Sequence, residues 1–511
     1  MGTGFETYFT DMHSNVHHEH IPDLASWYGH ARKVLDFWAV AYYPFHVRDE
    51  RGMPVEDLYP EDVIQGDWTR LRDFLALNND SDFPVFHGYE WQGAGLDGDH
   101  NLFFKENGPI IHPLRYRELL ESFSKRDVLA IPHHLAYALG HRGKNWETHD
   151  DSFSPCAEIY SSHGSSESGY SDLPMGRHIH MGPRGGGTSV FDGLMKGRKF
   201  GIIASGDNHV VPGTFGYGYA AVLAENKKRD SLWDAFKRRR VYGVSANKIL
   251  LDYTVNDYCM GEEVKKTSKS LEHRVSVVAG DAVTRIELIR NNVPVQTYVH
   301  NGMWEDKPLP NIVRFKFKLE MGWGPNISIF KDHIQKIWRG SVTTAGTILS
   351  VENCFASPGQ DVRRESDGMI SFELTTRKST QSGKWMGPSP VQTEGVILEI
   401  EAPLASEVIF NIDGRKITRS VRDILADTHL VVFYDEAKKL LKDFCGLDDF
   451  YRSDPFYHNA YKARILRGTP ESGYSVNCCF ETQAKEDDRY FMVKAYQRNG
   501  ELAWSSPVFV Q

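Results

Sequence analysis

Between residues 23 and 240 helical and strand-like patterns alternate, and this restricts the fold more than any other feature of the 511-residue chain. Residues 23–35 carry Leu24, Trp27, Ala31 and Val34 at helical spacing, and 37–41 follow as a buried strand. A helix over 66–77, with Trp68, Leu71, Phe74 and Leu75 on one face, leads into a strand over 84–90. A helix over 114–123 precedes a strand over 128–131, and a strand over 157–160 precedes a Gly-rich loop. The spacing then predicts a helix over 190–196, a strand over 200–204 and a helix over 231–240 that Ser231 would cap. At least six such units over roughly 240 residues fit a closed or distorted α/β barrel better than a three-layer sandwich.

After about residue 245 the pattern changes to segments in which apolar and polar residues alternate. These include 249–255, 273–278, 285–290, 313–319, 396–400 and 490–495, divided by turn signals such as Asn301-Gly302. The expectation is a barrel over residues 1–245 and a β-sandwich-rich domain over 246–511 with one helical insert at 434–442. No internal repeat or low-complexity linker separates them.

Chemistry collects in the first half. Residues 8–20 hold four histidines and two carboxylates, and 17 of the 22 histidines lie before residue 210, where an even spread would place about nine. Extended backbone after Tyr8 would put His13, Asn15 and His17 on one side of a strand end. Polar residues close the later strands in the same way: Glu90 after 84–89, His133 and His134 after 128–131, His163 after 157–160, and Asp207 with His209 after 200–204. Singly these are ordinary turn, cap or interface residues. Together, at the one mouth where parallel strands of a barrel end, they form a mixed carboxylate and imidazole set suited to one or two Zn²⁺, Mn²⁺ or Fe²⁺ ions.

Loop cations are the candidates for gripping an anionic small-molecule substrate: His141, Arg142, Lys144, Arg177 and Arg184. Trp91, Trp146 and Tyr170 could line a wall or simply anchor loops. A net charge of −9 with one dense basic run, Arg238-Arg-Arg240, argues against nucleic acid as the main partner. No apolar run approaches a membrane span, six cysteines with one in the first half and two adjacent as Cys478 and Cys479 do not read as a disulfide framework, and no secretory signal opens the chain. A cytoplasmic protein is the expectation.

The order Asp11-Met-His13, Gly88-Tyr-Glu90, Pro132-His-His134, Glu158 to His163 and Ser205-Gly-Asp-Asn-His209 resembles the polymerase and histidinol phosphatase (PHP) superfamily. It is closer still to a large bacterial branch known as a domain of unknown function and related to carbamate hydrolases. Gly98-Asp-His-Asn101, 140–146, 163–167, Pro212-Gly213 and 503–507 extend that likeness over nearly the whole chain. The resemblance implies a distorted (βα)7 barrel whose two or three metal ions promote ester hydrolysis, most often of phosphoesters. It implies ligands at His13, Glu90, His134 or His133, His163, Asp207 and His209, with Glu90, Asp207 and His209 at the chemistry. Two positions depart from the family pattern. Asn15 stands where a second motif-one histidine is usual, and Ala41-Tyr42-Tyr43 where an Asp-His pair is usual. His17, His20, His46 and His100 are the possible substitutes.

Two functions follow. One is a hydrolase of a phosphoester or related ester or carbamate that uses metal-activated water, with His209 or a loop histidine as proton donor. The alternative is a degenerate barrel with a reduced metal site that acts as a binding or scaffold protein. A serine nucleophile is disfavoured, because no Gly-x-Ser-x-Gly elbow occurs.

Overall fold

The computed structural model describes residues 4–48, 54–93, 95–169, 171–173, 175, 186–265, 269–300, 308–378, 393–447 and 454–511. Tyr170, Arg177 and Arg184 lie outside them. The protein is a mixed α/β, strand-rich chain of two compact units. The first unit comprises Met1–Ala279, Val283–His300 and Val476–Gln511, the second Gly280–Ala282 and Asn301–Ser475.

In the first unit a five-stranded sheet follows chain order: β2 (Ser14–His17), β3 (Trp38–Tyr43), β4 (Val85–Trp91), β5 (His100–Phe104) and β6 (Val128–Pro132). β2, β3 and β4 are parallel, whereas β5 pairs antiparallel with both β4 and β6. β3, Trp-Ala-Val-Ala-Tyr-Tyr, is buried at every position, as a central parallel strand requires. β7 (Cys156–Ser161) and β8 (Gly201–Ala204) pair parallel. β1 (Glu6–Thr10) pairs antiparallel with β9 (Tyr219–Ala224), and β9 with β10 (Val241–Val244).

The connecting helices are α1 (Leu24–Val34), α2 (Glu61–Leu77), α3 (Tyr116–Phe123), α4 (Val190–Met195) and α5 (Arg229–Lys237). In α1, Leu24, Trp27, Ala31 and Val34 are buried at the spacing that predicted the helix. α4 starts at a capping box in which Ser189 and Asp192 satisfy each other's backbone N–H. α5 begins before Ser231, whose Oγ instead accepts from the Asn226 N–H at 3.4 Å.

One apolar cluster, including Phe37, Phe86, Phe103, Ile131, Cys156, Ile203 and Val222, draws on all three of these sheets. The strands thus wrap a common core, but barrel closure is not reached through their ladders. Among the described residues no ladder joins β6 to β7, and a single parallel bridge, Ser14 to Asn208, links the segment after β8 to β2. The antiparallel β5 is absent from the expected βα order; it pairs with β4 about 10 residues before it and with β6 about 30 residues after it, and neither pairing is a βα step.

The expected boundary at residue 245 falls inside the first unit. β10 would be a bare sheet edge there, and Leu502–Ser505 covers it by pairing Gly243 with Trp504, while Tyr490–Gln497 and Val283–Arg290 extend the sheet further. Alternating apolar residues identify a strand with one wet face but not the sheet it joins.

The second unit contains a six-stranded and a five-stranded antiparallel sheet. Rings from the two sheets meet edge to face: Phe317 with Phe410 at 5.8 Å between centroids, and Trp338 with Tyr461 at 5.9 Å. The helical insert runs from Tyr434 to Cys445. Among the described residues no helix is long and apolar enough to cross a membrane.

Glu394 is buried in this unit and accepts from the Ala356 N–H at 2.8 Å and the Ser357 hydroxyl at 2.6 Å. Burial nevertheless pushes its carboxyl up to about 8 from the ordinary 4.5, against the pull of those bonds. The stability this group contributes is complete below its unfolded pKa of 4.5 and is lost as pH rises through about 8. Glu394→Gln is therefore expected to stabilise the protein by about 2 kcal/mol at pH 9 and by little at pH 5, read from urea unfolding at the two pH values.

Candidate metal centre

The segments that follow the strands converge on His13, just before β2. Its Nδ1 lies 3.0 Å from Glu158 Oε2 on β7, and its Nε2 lies 3.4 Å from both Glu90 Oε2 at the end of β4 and Asp207 Oδ1 after β8. His163 Nε2 approaches Asp207 Oδ2 at 2.8 Å, and Tyr137 Oη bonds His163 Nδ1 at 2.5 Å. His133 Nε2 is 3.8 Å from Glu90 Oε1, and its ring lies 4.0 Å from that of His13. His134 packs between His133, edge-on at 4.3 Å, and His163, tilted at 4.8 Å between ring centroids. The structure therefore gathers Glu90, His133, His134, His163 and Asp207 around His13, all of them buried.

Asp11 builds the floor. Its Oδ1 accepts from the His13 and Gly206 N–H groups at 2.9 and 2.8 Å, and its Oδ2 from Asn208 Nδ2 at 3.1 Å and the Gly213 N–H at 2.9 Å. One carboxylate thus ties the turn after β1 to the Ser205-Gly-Asp-Asn-His turn. Gly206 is required there, since a Cβ would come within 2.6 Å of both Asp11 Oδ2 and Asn208 Nδ2. His134 and Asp207 adopt left-handed backbone, with φ of 34° and 46°, a conformation that local bonds must hold.

Asn15 sends Nδ2 to Asp207 Oδ1 at 3.3 Å. His17, two residues further on, shares Asn15's side of β2 and places Nε2 2.6 Å from His209 Nδ1. Tyr43 also points in, with its ring 4.6 Å from His17 and 5.2 Å from His209 and its hydroxyl 3.4 Å from Gln92 Nε2. The other substitutes pack elsewhere: His20 on Trp27, His46 on Tyr59, and His100 against Lys144.

Two residues that the sequence motifs understated complete the cluster. Glu158, on β7, reaches His13. Asp99, just before β5, lies with Oδ2 3.7 Å from His134 Nε2 and 3.5 Å from Arg142 Nη1. The signal for Asp99 was the Gly98-Asp-His-Asn motif itself, but without β5 it had no place at the mouth.

The electrostatics are those of a site with too many buried acids. Glu90, Asp99, Glu158 and Asp207 are each at most 3% exposed. Burial, with Glu90 and Asp207 repelling, holds Asp99 well above the usual carboxylate range, and burial pushes Glu158 up to about 7 against the pull of His13. Burial works against charge on His13, yet Asp207 and Glu158 outweigh it and raise this imidazole well above its ordinary value. His133 shows the reverse. Burial and the neighbouring His13 keep it neutral, and among the described residues neither of its ring nitrogens has a hydrogen-bond partner. His17 is pulled down to about 4 by burial.

Lys144 does not serve as the expected loop cation. It is buried with Nζ 3.1 Å from His100 Nε2 and 4.6 Å from the Tyr116 ring centre, and burial lowers it to about 7. His141 is exposed, whereas Arg142 sits at the rim with a side chain 20% exposed. Trp91 and Trp146 are anchors: both indoles are buried and donate to backbone carbonyls, of Pro113 and of Thr188 and Ser189.

Two groups could each hold a metal ion, His13 with Glu90 and His133, and Asp99 with His133 and His134; within each group the donor atoms lie within 4.8 Å of one another. A cation fits this set. It would neutralise the crowded carboxylates and use the unbonded nitrogens of a neutral imidazole, the form that ligates.

No family model matches the chain. It is 27% identical over 256 residues to an uncharacterised protein of Chlamydia pneumoniae, over 45% of this chain and 40% of that protein. An uncharacterised protein of Chlamydia trachomatis serovar D is 26% identical over 203 residues, 36% of this chain and 32% of the relative. The chain thus spans less than half the length of these curated relatives. Among solved structures it is similar to a two-domain protein from Bacteroides vulgatus containing a predicted PHP-like metal-dependent phosphoesterase. That likeness has 10% identity and a TM-score of 0.33, over 82% of this chain and 96% of the other, and is too distant to support an argument.

Asp11→Ala strands buried N–H groups of His13, Gly206 and Gly213 at once. It is expected to cost about 3 kcal/mol or more in urea unfolding, because each unsatisfied donor carries its own desolvation penalty.

Proposed function

We propose that this chain is a metal-dependent hydrolase acting on a phosphoester, or a related ester or carbamate, of a small anionic molecule. The observation that carries this reading is the buried group of His13, Glu90 and His133, with Asp207 and His163 beside it. These residues would hold a divalent transition-metal ion, Zn²⁺, Mn²⁺ or Fe²⁺, matching mixed oxygen and nitrogen donors. Such an ion supplies Lewis acidity to a water and to the oxygen of the scissile group.

The chain's own residues do the rest. Asn15 steadies Asp207, and Tyr137 fixes His163 through Nδ1, so that both ligands keep one orientation. Gln92 donates to Glu90 Oε1 at 3.0 Å and holds that carboxylate in place. His209 has the most open side chain of the set, 19% exposed against 6% or less for the ligands around His13. That exposure supports a role as the proton donor to the leaving oxygen, with His17 bonded to its Nδ1. Arg142 at the rim supports an anionic substrate, since its guanidinium can pair with phosphate or carboxylate oxygens. A cytoplasmic enzyme without nucleic-acid or membrane partners accords with the acidic net charge of −9.

The test is elemental analysis of the purified chain together with turnover of aryl phosphate and aryl ester substrates. Metal retention is expected, with a kcat that falls by about 100-fold or more in Asp207→Ala while circular dichroism is unchanged. A chain that holds no metal and shows no metal-stimulated turnover refutes the proposal.

A further inference from the structure

We infer that Lys494, on the strand Tyr490–Gln497 that returns to the first unit, is a positioning residue for His163 and acts through the loop that follows β7; this rests on the metal-dependent reading above, in which His163 stands beside the ion's ligands. Glu167, the last residue of the 163–167 motif, thereby has a task. Its carboxylate faces Lys494.

Lys494 is 2% exposed and Glu167 3%. The ammonium lies 3.0 and 2.7 Å from the two Glu167 oxygens and 2.8 Å from Asp172 Oδ2, which also accepts from the Tyr496 hydroxyl at 3.0 Å. The rings of Tyr496 and Trp504 flank it, their centres 5.1 and 5.8 Å from Nζ. An ion pair sunk among aromatic rings adds little net stability, because desolvation of the two charges offsets their attraction, yet separating the charges there is strongly unfavourable. The pair therefore gives the loop one seat.

Short bonds carry that seat to the metal centre. The Glu167 carbonyl accepts the Phe191 N–H at 3.1 Å, and Ser166 beside it donates its N–H to Ile159 on β7 at 2.7 Å. Ser166 Oγ accepts the Ala136 N–H at 3.3 Å, and the next residue, Tyr137, is the one whose hydroxyl bonds His163 Nδ1. Without the Lys494 charge, Glu167 would be left buried and unpaired, so the loop would shift toward water and draw Ser166 from Ala136. The rival explanation is that the pair only fastens the returning strand. That strand is already held by its ladders to Val283–Arg290 and Leu502–Ser505, which need no charge at Lys494.

Co²⁺ would be titrated into the full-length chain after chelator stripping, with affinity read by calorimetry and ligand geometry by the visible absorption of the ion. Lys494→Met is expected to weaken Co²⁺ binding by about tenfold and to change the visible spectrum, as loss of a partner behind a ligand does. Glu167→Gln breaks the pair from the loop side; it is expected to do the same and serves should Lys494→Met not fold. Circular dichroism of the metal-free chains establishes folding. Affinity and spectrum equal to wild type, with only stability in urea lowered, overturn the positioning role. Hydrogen exchange of the metal-free chains is expected to quicken over residues 134–137 in the variants, and protection there equal to wild type overturns the role whether or not metal binds. Wild type that holds no Co²⁺ refutes the hydrolase reading, and the exchange result then decides the positioning of the loop by itself.

Discussion

Four buried carboxylates at one end of the first unit, Glu90, Asp99, Glu158 and Asp207, are the constraint on which the rest of the site depends. Placing that much negative charge away from water is unfavourable unless cations or hydrogen bonds offset it. His13 meets part of the demand. It touches three of the four, and their charges favour its protonated form, so a residue in the turn before β2 sits at the centre of elements drawn from residues 90 to 207. The neutral His133 and the unbonded oxygen of Asp99 mark where compensation by protein groups stops.

The scaffold meets that electrostatic demand with backbone geometry. Asp11 ties two turns together through four accepted hydrogen bonds, so the positions of His13 and Asp207 are coupled before any side chain reaches across. The bridge from Ser14 to Asn208 does the same for the backbone where no ladder closes the wall. A site assembled on rigid strand ends and short tied turns needs little reorganisation to accept a cation.

Much of this was legible from residue pattern. The 3.6 and 2.0 periodicities placed α1, β3, β4, β6, β7 and β8 close to their observed positions, because each is a local amphipathic or fully buried segment. The polar residues closing those strands, Glu90, His133, His134, His163 and Asp207, come together around His13 as the strand-end argument expects. Other features were not legible. Lys144 reads as a loop cation, and nothing nearby in sequence reveals that it packs on Tyr116 beside His100. Asp99 belongs to a motif whose strand is defined by partners about 10 and 30 residues away, so local pattern could not set its direction.

The amino-acid sequence by itself determined the alternating elements, the donor types and their location at strand ends, since these follow from local periodicity and from residue chemistry. Tertiary structure decided which donors share a space. It put His17 rather than Asn15 beside His209, turned Tyr43 inward, brought Asp99 to His134, and carried the last 36 residues, Val476–Gln511, back onto the first unit. The physical reason is the same in each case. Strand pairing and burial of charge depend on neighbours remote in sequence, and no local pattern encodes who those neighbours are.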